Sequence, residues 1–234
     1  PYAAEWTQMT PPATYSYYST CCAYQDKLYL LSSQSSSHNL MFYSYDGSTW
    51  TSRTLPTGGR SRRGCAVGVG GKIIQIDASS PYYVSIYNIS SNTWQNDIAQ
   101  APLYIQQLTE LNGTVYGTAY VASGVYKYHL YTVNTSTGAV TDKGAVPTPS
   151  TNQVPYLYIY NNTLMCYVYN NVSPTSHLLF SYNGSSWTQQ AEMTMPISSL
   201  SLNNWRSYGG KNYCPLVASS DMYAYTQVMT DVSM

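Results

Sequence analysis

Tyr87-Asn88-Ile89-Ser90-Ser91-Asn92-Thr93-Trp94 reads as the end of one strand, a tight polar turn and the start of the next. The Asn-Ile-Ser-Ser-Asn run supplies short side chains that bond to nearby backbone and so favour a turn between two strand-forming stretches. The tryptophan recurs: Trp6, Trp50 and Trp94 stand 44 residues apart, and Trp187 follows 93 residues after Trp94. That last gap is two periods, with Val140 where the intervening tryptophan would be. Pro11, Pro56, Pro102, Pro147 and Pro196 follow in step. A period of this length predicts a radial array of four-stranded units.

Each period repeats the same plan of two hairpins. The first turns fall at Gln25-Asp26, Gly70-Gly71, Asn112-Gly113, Asn161-Asn162 and Gly209-Gly210. The second fall at Asp46-Gly47, Asn88 to Asn92, Asn134 to Gly138 and Asn183-Gly184. Asn-Gly, Asp-Gly and Gly-Gly supply the positive backbone dihedrals of two-residue hairpins. The flanking runs are rich in Tyr, Val, Ile, Leu and Thr, which suit a pleated, half-buried surface, and no stretch sustains a helical period.

An inner hairpin, a tyrosine on the third strand and a tryptophan some seven residues later resembles the kelch repeat, over the whole chain. The Gly-Gly pair usual at the end of the second kelch strand is replaced by Ser32-Ser33, Asp77-Ala78, Tyr120-Val121, Val168-Tyr169 and Val217-Ala218. The resemblance is therefore to a divergent kelch-like unit and implies a β-propeller without implying a function.

The expected fold is all-β, a single five-bladed β-propeller domain of four-stranded antiparallel blades over residues 1–234. The blades are expected at about 18–55, 63–98, 104–144, 154–192 and 198–228. Trp6 lies on a fourth strand with no first three before it, so the strand at 4–10 is expected to complete the last blade and close the ring, leaving no open edge. An open array whose edges pair with another molecule is the alternative.

Charged residues are 9% of the chain and the formal net charge is zero, which does not suggest nucleic acid, whose binders carry a basic surface. Twenty-seven tyrosines stand against two phenylalanines. A tyrosine ring offers large area with a hydroxyl and suits adhesive or sugar-stacking positions, although strands favour it in any case. No run of eighteen apolar residues is present, so membrane insertion is not expected. The chain begins at Pro1 without a signal peptide, as a processed form or an excised segment would. Its Ser/Thr/Asn/Tyr-rich, lysine-poor character and its N-glycosylation sequons at Asn88, Asn112, Asn134, Asn161 and Asn183 favour an extracellular, secreted protein. A sixth, at Asn171, is compromised by Pro174. Turn chemistry is the competing account of these asparagines.

Cys21, Cys22, Cys65, Cys166 and Cys214 show no Cys-x-x-Cys spacing. Register places Cys21 or Cys22 and Cys65 on innermost strands of adjacent blades, where a disulfide between Cys21 and Cys65 is one expectation and plain burial the other.

In such a blade the first and third connections emerge on one end, the second and the blade-to-blade connections on the other. The five sound sequons share the first end. The second holds Arg60, Arg62 and Arg63, a basic loop able to grip an anion, with Tyr17, Tyr18, Tyr104 and Trp205 beside it or at the channel mouth. No carboxylate stands where the inner strands begin, around residues 18–20, 63–65, 106–109, 153–156 and 203–205, so a two-carboxylate glycoside hydrolase lacks its parts and is the weakest reading. His38, His129 and His177 converge in no register, and neither a metal nor a cofactor is expected. The leading expectation is a non-catalytic subunit of an extracellular filament, coat or matrix, binding copies of itself or other extracellular proteins. A lectin-like binder of glycans is the alternative.

Overall fold

A computed structural model describes residues 18–33, 40–57, 64–122, 127–148, 154–170, 176–193, 206–208 and 211–213. The fold is all-β, with no helix among the described residues. The first sheet is β1 (Tyr18–Tyr24), β2 (Lys27–Ser33), β3 (Leu40–Tyr45) and β4 (Trp50–Ser52). The second is β5 (Gly64–Val69), β6 (Lys72–Asp77), β7 (Tyr83–Asn88) and β8 (Thr93–Gln100). The third is β9 (Ile105–Leu111), β10 (Thr114–Tyr120), β11 (Tyr128–Val133) and β12 (Val140–Ala145). The fourth is β13 (Pro155–Tyr160), β14 (Thr163–Asn170), β15 (Ser176–Tyr182) and β16 (Trp187–Met193). All four are antiparallel, with strands side by side in chain order.

Where five complete blades are expected from the period, the described residues form four complete sheets, followed by a two-stranded hairpin, β17 (Arg206–Tyr208) and β18 (Lys211–Tyr213). The stretch after Tyr213 carries no Trp, Asn or Gly, the residues that mark the later strands and turns of the other units. The strand expected at 4–10 and the ring closure lie outside the described residues.

The first hairpins have the expected geometry. Both central residues are left-handed at Gln25-Asp26 (φ 46° and 58°), Gly70-Gly71 (52° and 76°), Asn112-Gly113 (50° and 80°) and Asn161-Asn162 (44° and 57°). That is the requirement of the turn whose twist matches its strands. The recurring aromatic pair is a cross-strand contact. Tyr45 faces Trp50, Tyr87 faces Trp94 and Tyr182 faces Trp187 in register. Their ring centroids are 4.8, 5.1 and 4.8 Å apart. In the third sheet Val133 faces Val140 at the same place. Past each pair, β8, β12 and β16 slip register by a bulge, which twists an outer strand away from edge pairing.

The sheets stack through their inner strands, β1 on β5, β5 on β9, β9 on β13 and β13 on the β17 hairpin. Gly68 shows how tightly: a Cβ there would lie 2.4 Å from Cβ of Tyr24. Three apolar clusters fill the seams. Tyr29, Leu31 and Phe42 meet Ile73 and Tyr87. Cys65, Ile74, Ile76, Val84 and Ile86 meet Val115, Ala119, Tyr131 and Val133. Tyr128 and Leu130 meet Leu164, Cys166, Val168 and Phe180. In two of the seams the aromatic pair of the later sheet turns back on the earlier one, while Val133 and Val140 take that place in the seam between the second and third sheets. Trp94 lies 5.2 Å from Phe42, and Tyr182 lies 6.4 Å from Tyr116.

The other face of the first sheet joins none of these three clusters. Alternation and register put Cys21, Ala23, Leu28, Leu30, Tyr43, Tyr45 and Trp50 on it. Cys21 and Ala23 are exposed and the rest half-buried. Stacked sheets in this succession are compatible with a propeller-like fold.

Candidate functional site

Because the strands alternate in direction, the hairpins within β1–β2 and β3–β4, and their counterparts, lie at one end of the sheets. The connections between second and third strands, and from sheet to sheet, lie at the other. The two ends differ in chemistry.

At the hairpin end, four residues close the third-to-fourth turns with one oxygen each. Asp46 Oδ1 accepts from the amides of Ser48 and Thr49 at 2.9 and 2.8 Å and from the Ser48 hydroxyl at 2.9 Å. Asn88 Oδ1 accepts from Ser90 N–H at 3.1 Å and Ser91 N–H at 3.3 Å. Asn134 Oδ1 accepts from the amides of Ser136 and Thr137, both at 2.9 Å. Asn183 Oδ1 accepts from Ser185 and Ser186 N–H at 3.0 and 2.9 Å. Asp46-Gly47-Ser48 makes these bonds without being a sequon, so an acceptor followed two residues on by serine is what the turn itself uses. Asn112 and Asn161 instead stand exposed at left-handed hairpin tips.

The opposite end carries the exposed apolar side chains. Leu55, Tyr104 and Tyr120 are 43%, 39% and 42% exposed, the three large hydrophobics so open among the described residues. Leu55 follows β4, Tyr104 precedes β9 and Tyr120 ends β10, so all three belong to this end. The rings are braced. Tyr104 lies 6.0 Å from Tyr82, and Tyr120 meets Tyr128 edge to face at 5.5 Å. Burial lifts the Tyr104 hydroxyl above its ordinary pKa, with Cys65 and Tyr82 adding to the shift. The uncharged phenol is the form present at neutral pH.

Of the residues expected at this end, Tyr104 immediately precedes β9. Tyr18 opens β1. Tyr17, Arg60, Arg62, Arg63 and Trp205 lie outside the described residues. Tyr82 and Tyr120 were missed. Their signal was available, since both flank connections that the two-hairpin plan assigns to this end.

Cys21 and Cys65 are not brought together, and both are free thiols. Cys22, rather than Cys21, turns toward the second sheet, while Cys65 turns away toward the third, its thiol donating to the Ile105 carbonyl at 3.3 Å. Burial pushes the Cys65 thiol up to about 12, and Cys22 to about 12 with the neighbouring Cys21 adding to it. Such thiols are unreactive near neutrality. His129 Nδ1 pairs with Asp142 Oδ2 at 2.8 Å across β11 and β12, joining two strands rather than a metal cluster. No group of three or more ligating side chains suited to a metal occurs among the described residues. No described helix is long and apolar enough to cross a membrane.

No family model matches the sequence. No curated protein matches it either. The fold is similar to several solved structures. The structure of YjhT shares 16% identity at a TM-score of 0.50, over 79% of this chain and 68% of that one. The extracellular domain of BT4673 from B. thetaiotaomicron shares 16% at 0.54, over 88% of this chain and 27% of that one. The computationally designed Ika8 protein shares 8% at 0.51, over 83% and 54%. The chain thus spans about two thirds of the first and a quarter of the second. At these identities the likeness shows the fold alone.

Proposed function

We propose that the protein is a non-catalytic, secreted module that acts by surface contact, as a self-associating subunit of an extracellular filament, coat or matrix. The observation that carries this is the gathering of Leu55, Tyr104 and Tyr120 at one end, opposite an end made of polar turns. Braced tyrosines lose little side-chain freedom when a partner covers them, and a chain of zero net charge has no long-range repulsion between copies. Sedimentation and electron microscopy over a range of concentrations test it. Association is expected, weakened at least tenfold by Tyr104→Ser with Tyr120→Ser, a loss of about 1.4 kcal/mol. A monodisperse monomer at high concentration overturns it.

The scaffold in this reading is a closed five-bladed kelch-like ring, with the hairpin at 206–213, the residues after it and the strand at 4–10 making the last blade. The face of the first sheet that joins none of the three clusters among the described residues supports it. Tyr45 and Trp50 stand there as Tyr87 and Trp94 stand in the seam between the first two sheets. N-glycosylation, part of the same reading, rests on Asn112 and Asn161 foremost, whose side chains are not the acceptors of a closing turn. Secretory expression followed by enzymatic deglycosylation should lower the mass of the chain, and a mass equal to the bare polypeptide removes that part.

A second reading, a lectin-like binder, is favoured by the Tyr82–Tyr104 pair, whose exposed ring offers a stacking face to a sugar. Binding on a glycan array that disappears with Tyr104→Ala would place it first. Anion capture by Arg60, Arg62 and Arg63 is weaker and is decided by replacing all three.

A further inference from the structure

Cys22, Tyr29, Ser44 and Thr51 form one row of register partners across the first sheet, on the side turned to the second. Arg53 follows Thr51 by two residues and keeps the ladder, its backbone N–H donating to the Phe42 carbonyl at 2.8 Å. Alternation therefore sets its side chain on the same side. That side chain runs back to the row, where Nε donates to the Ser44 hydroxyl at 2.8 Å. The guanidinium thereby comes beside two phenols, Tyr29 of its own sheet and Tyr87 of the next.

The surroundings of this cation are neutral. Burial lifts both phenols above their ordinary pKa while the Arg53 charge works the other way, and at neutral pH both stay uncharged. No carboxylate pairs with Arg53 among the described residues. Asp46, the acid nearest to it in sequence, is bonded within its own turn. The Tyr87 hydroxyl is already engaged, donating to Asn92 Oδ1 at 2.6 Å. The Tyr29 hydroxyl is not: the residue is 3% exposed, yet the hydroxyl has no hydrogen-bond partner among the described residues. A half-buried cation without a counter-charge and a buried donor without an acceptor are both satisfied by the same group, an anionic oxygen.

We infer that this place is a binding site for one small oxyanion, of the sulfate, phosphate or carboxylate type, held by the terminal nitrogens of Arg53 and the Tyr29 hydroxyl. A planar guanidinium offers two parallel N–H bonds to such a group, and charge-assisted bonds are about twice as strong as neutral ones. Arg53 is half-buried rather than sealed, which leaves the anion a way in. The site calls on none of Arg60, Arg62 and Arg63. It sits where the first sheet meets Tyr87 of the second, so a bound anion strengthens the seam between them.

Thermal unfolding of the whole chain in sulfate, phosphate or acetate, at an ionic strength held constant with chloride, tests this. An anion that binds the folded state raises the midpoint by an amount set by its affinity, whereas a salt excluded from the protein surface stabilises wild type and variants alike. A rise specific to wild type is expected with at least one of the three anions. Acetate would name a planar ligand, sulfate or phosphate a tetrahedral one. Calorimetric titration with that anion should give an affinity at least about tenfold weaker in Tyr29→Phe, which keeps the ring and loses the bond to the charge, and no measurable binding in Arg53→Gln. A rise shared equally by wild type and both variants, or an affinity that Tyr29→Phe leaves at the wild-type value, overturns the inference. Should Arg53→Gln fail to fold, Tyr29→Phe decides alone.

Discussion

One acidic residue and three amides close four equivalent turns, and only the acid can be switched off by a proton. Bonds from the Thr49 and Ser48 amides and the Ser48 hydroxyl hold the Asp46 carboxyl down to about 2. The unfolded value is near 3.9, so this contribution to stability is complete above about pH 4 and is lost as pH falls through about 2. Asp46→Asn keeps the acceptor, as Asn88, Asn134 and Asn183 do. Its stability at pH 7 should be unchanged and its loss between about pH 4 and 2 shallower than wild type, read from urea midpoints across that range. An acid limb as steep as wild type's would mean that the carboxylate bonds add nothing that an amide lacks. The same residues mark what was hard to read in the sequence. Asn-x-Ser is a glycosylation signal and also a turn, and the chemical string is identical until the oxygen's partners are seen. Asp46-Gly47-Ser48, the one copy that cannot be a sequon, was the available clue.

The element that repeats is a strand pair with a tyrosine and a tryptophan across it, and its value lies in what the tryptophan reaches. Trp94 touches Tyr87 in its own sheet and Phe42 in the one before. Its indole N–H donates to the Thr54 carbonyl at 2.8 Å, and Asn92 and Asn96 accept from the amides of Thr54 and Thr57 at 3.1 and 3.2 Å. The segment leaving the first sheet is thereby bonded along β8 of the second. Trp94→Ala should cost roughly 3 kcal/mol through lost burial and ring contacts. Trp94→Phe should cost about 1 kcal/mol, keeping the stack and losing the bond to Thr54. Denaturant unfolding of both separates the two, and equal losses would mean that stacking is not the larger part. The period was legible because each tryptophan solves the same packing problem, and Val133 with Val140 shows that a smaller apolar pair solves it too. The bulge in β12 had a local sign in Gly144, left-handed at φ 95° beside the register shift, whereas no glycine marks those in β8 and β16, which were not legible.

For the whole molecule, the stacking order follows from short connections between similar units, which is why four sheets could be read from turns alone. Whether they close on themselves depends on a stretch without those turn residues, and the face of the first sheet that joins none of the three clusters among the described residues is where the question becomes measurable. Leu30 lies on that face, half-buried, directly across from Tyr43 and Cys21. If the last blade of the same chain covers it, Leu30→Asp places an unpaired carboxylate in a seam and should cost roughly 3 kcal/mol at pH 7. The loss should not depend on protein concentration. If a second copy covers the face, the same change should lower the mass in solution while the dilute protein keeps its stability. If solvent covers it, both quantities should stay near wild type, within about 0.5 kcal/mol. The closed ring expects the first result. Its failure would leave the exposed tyrosine end as a contact surface on an open stack, whose own edge would then be a second route to assembly.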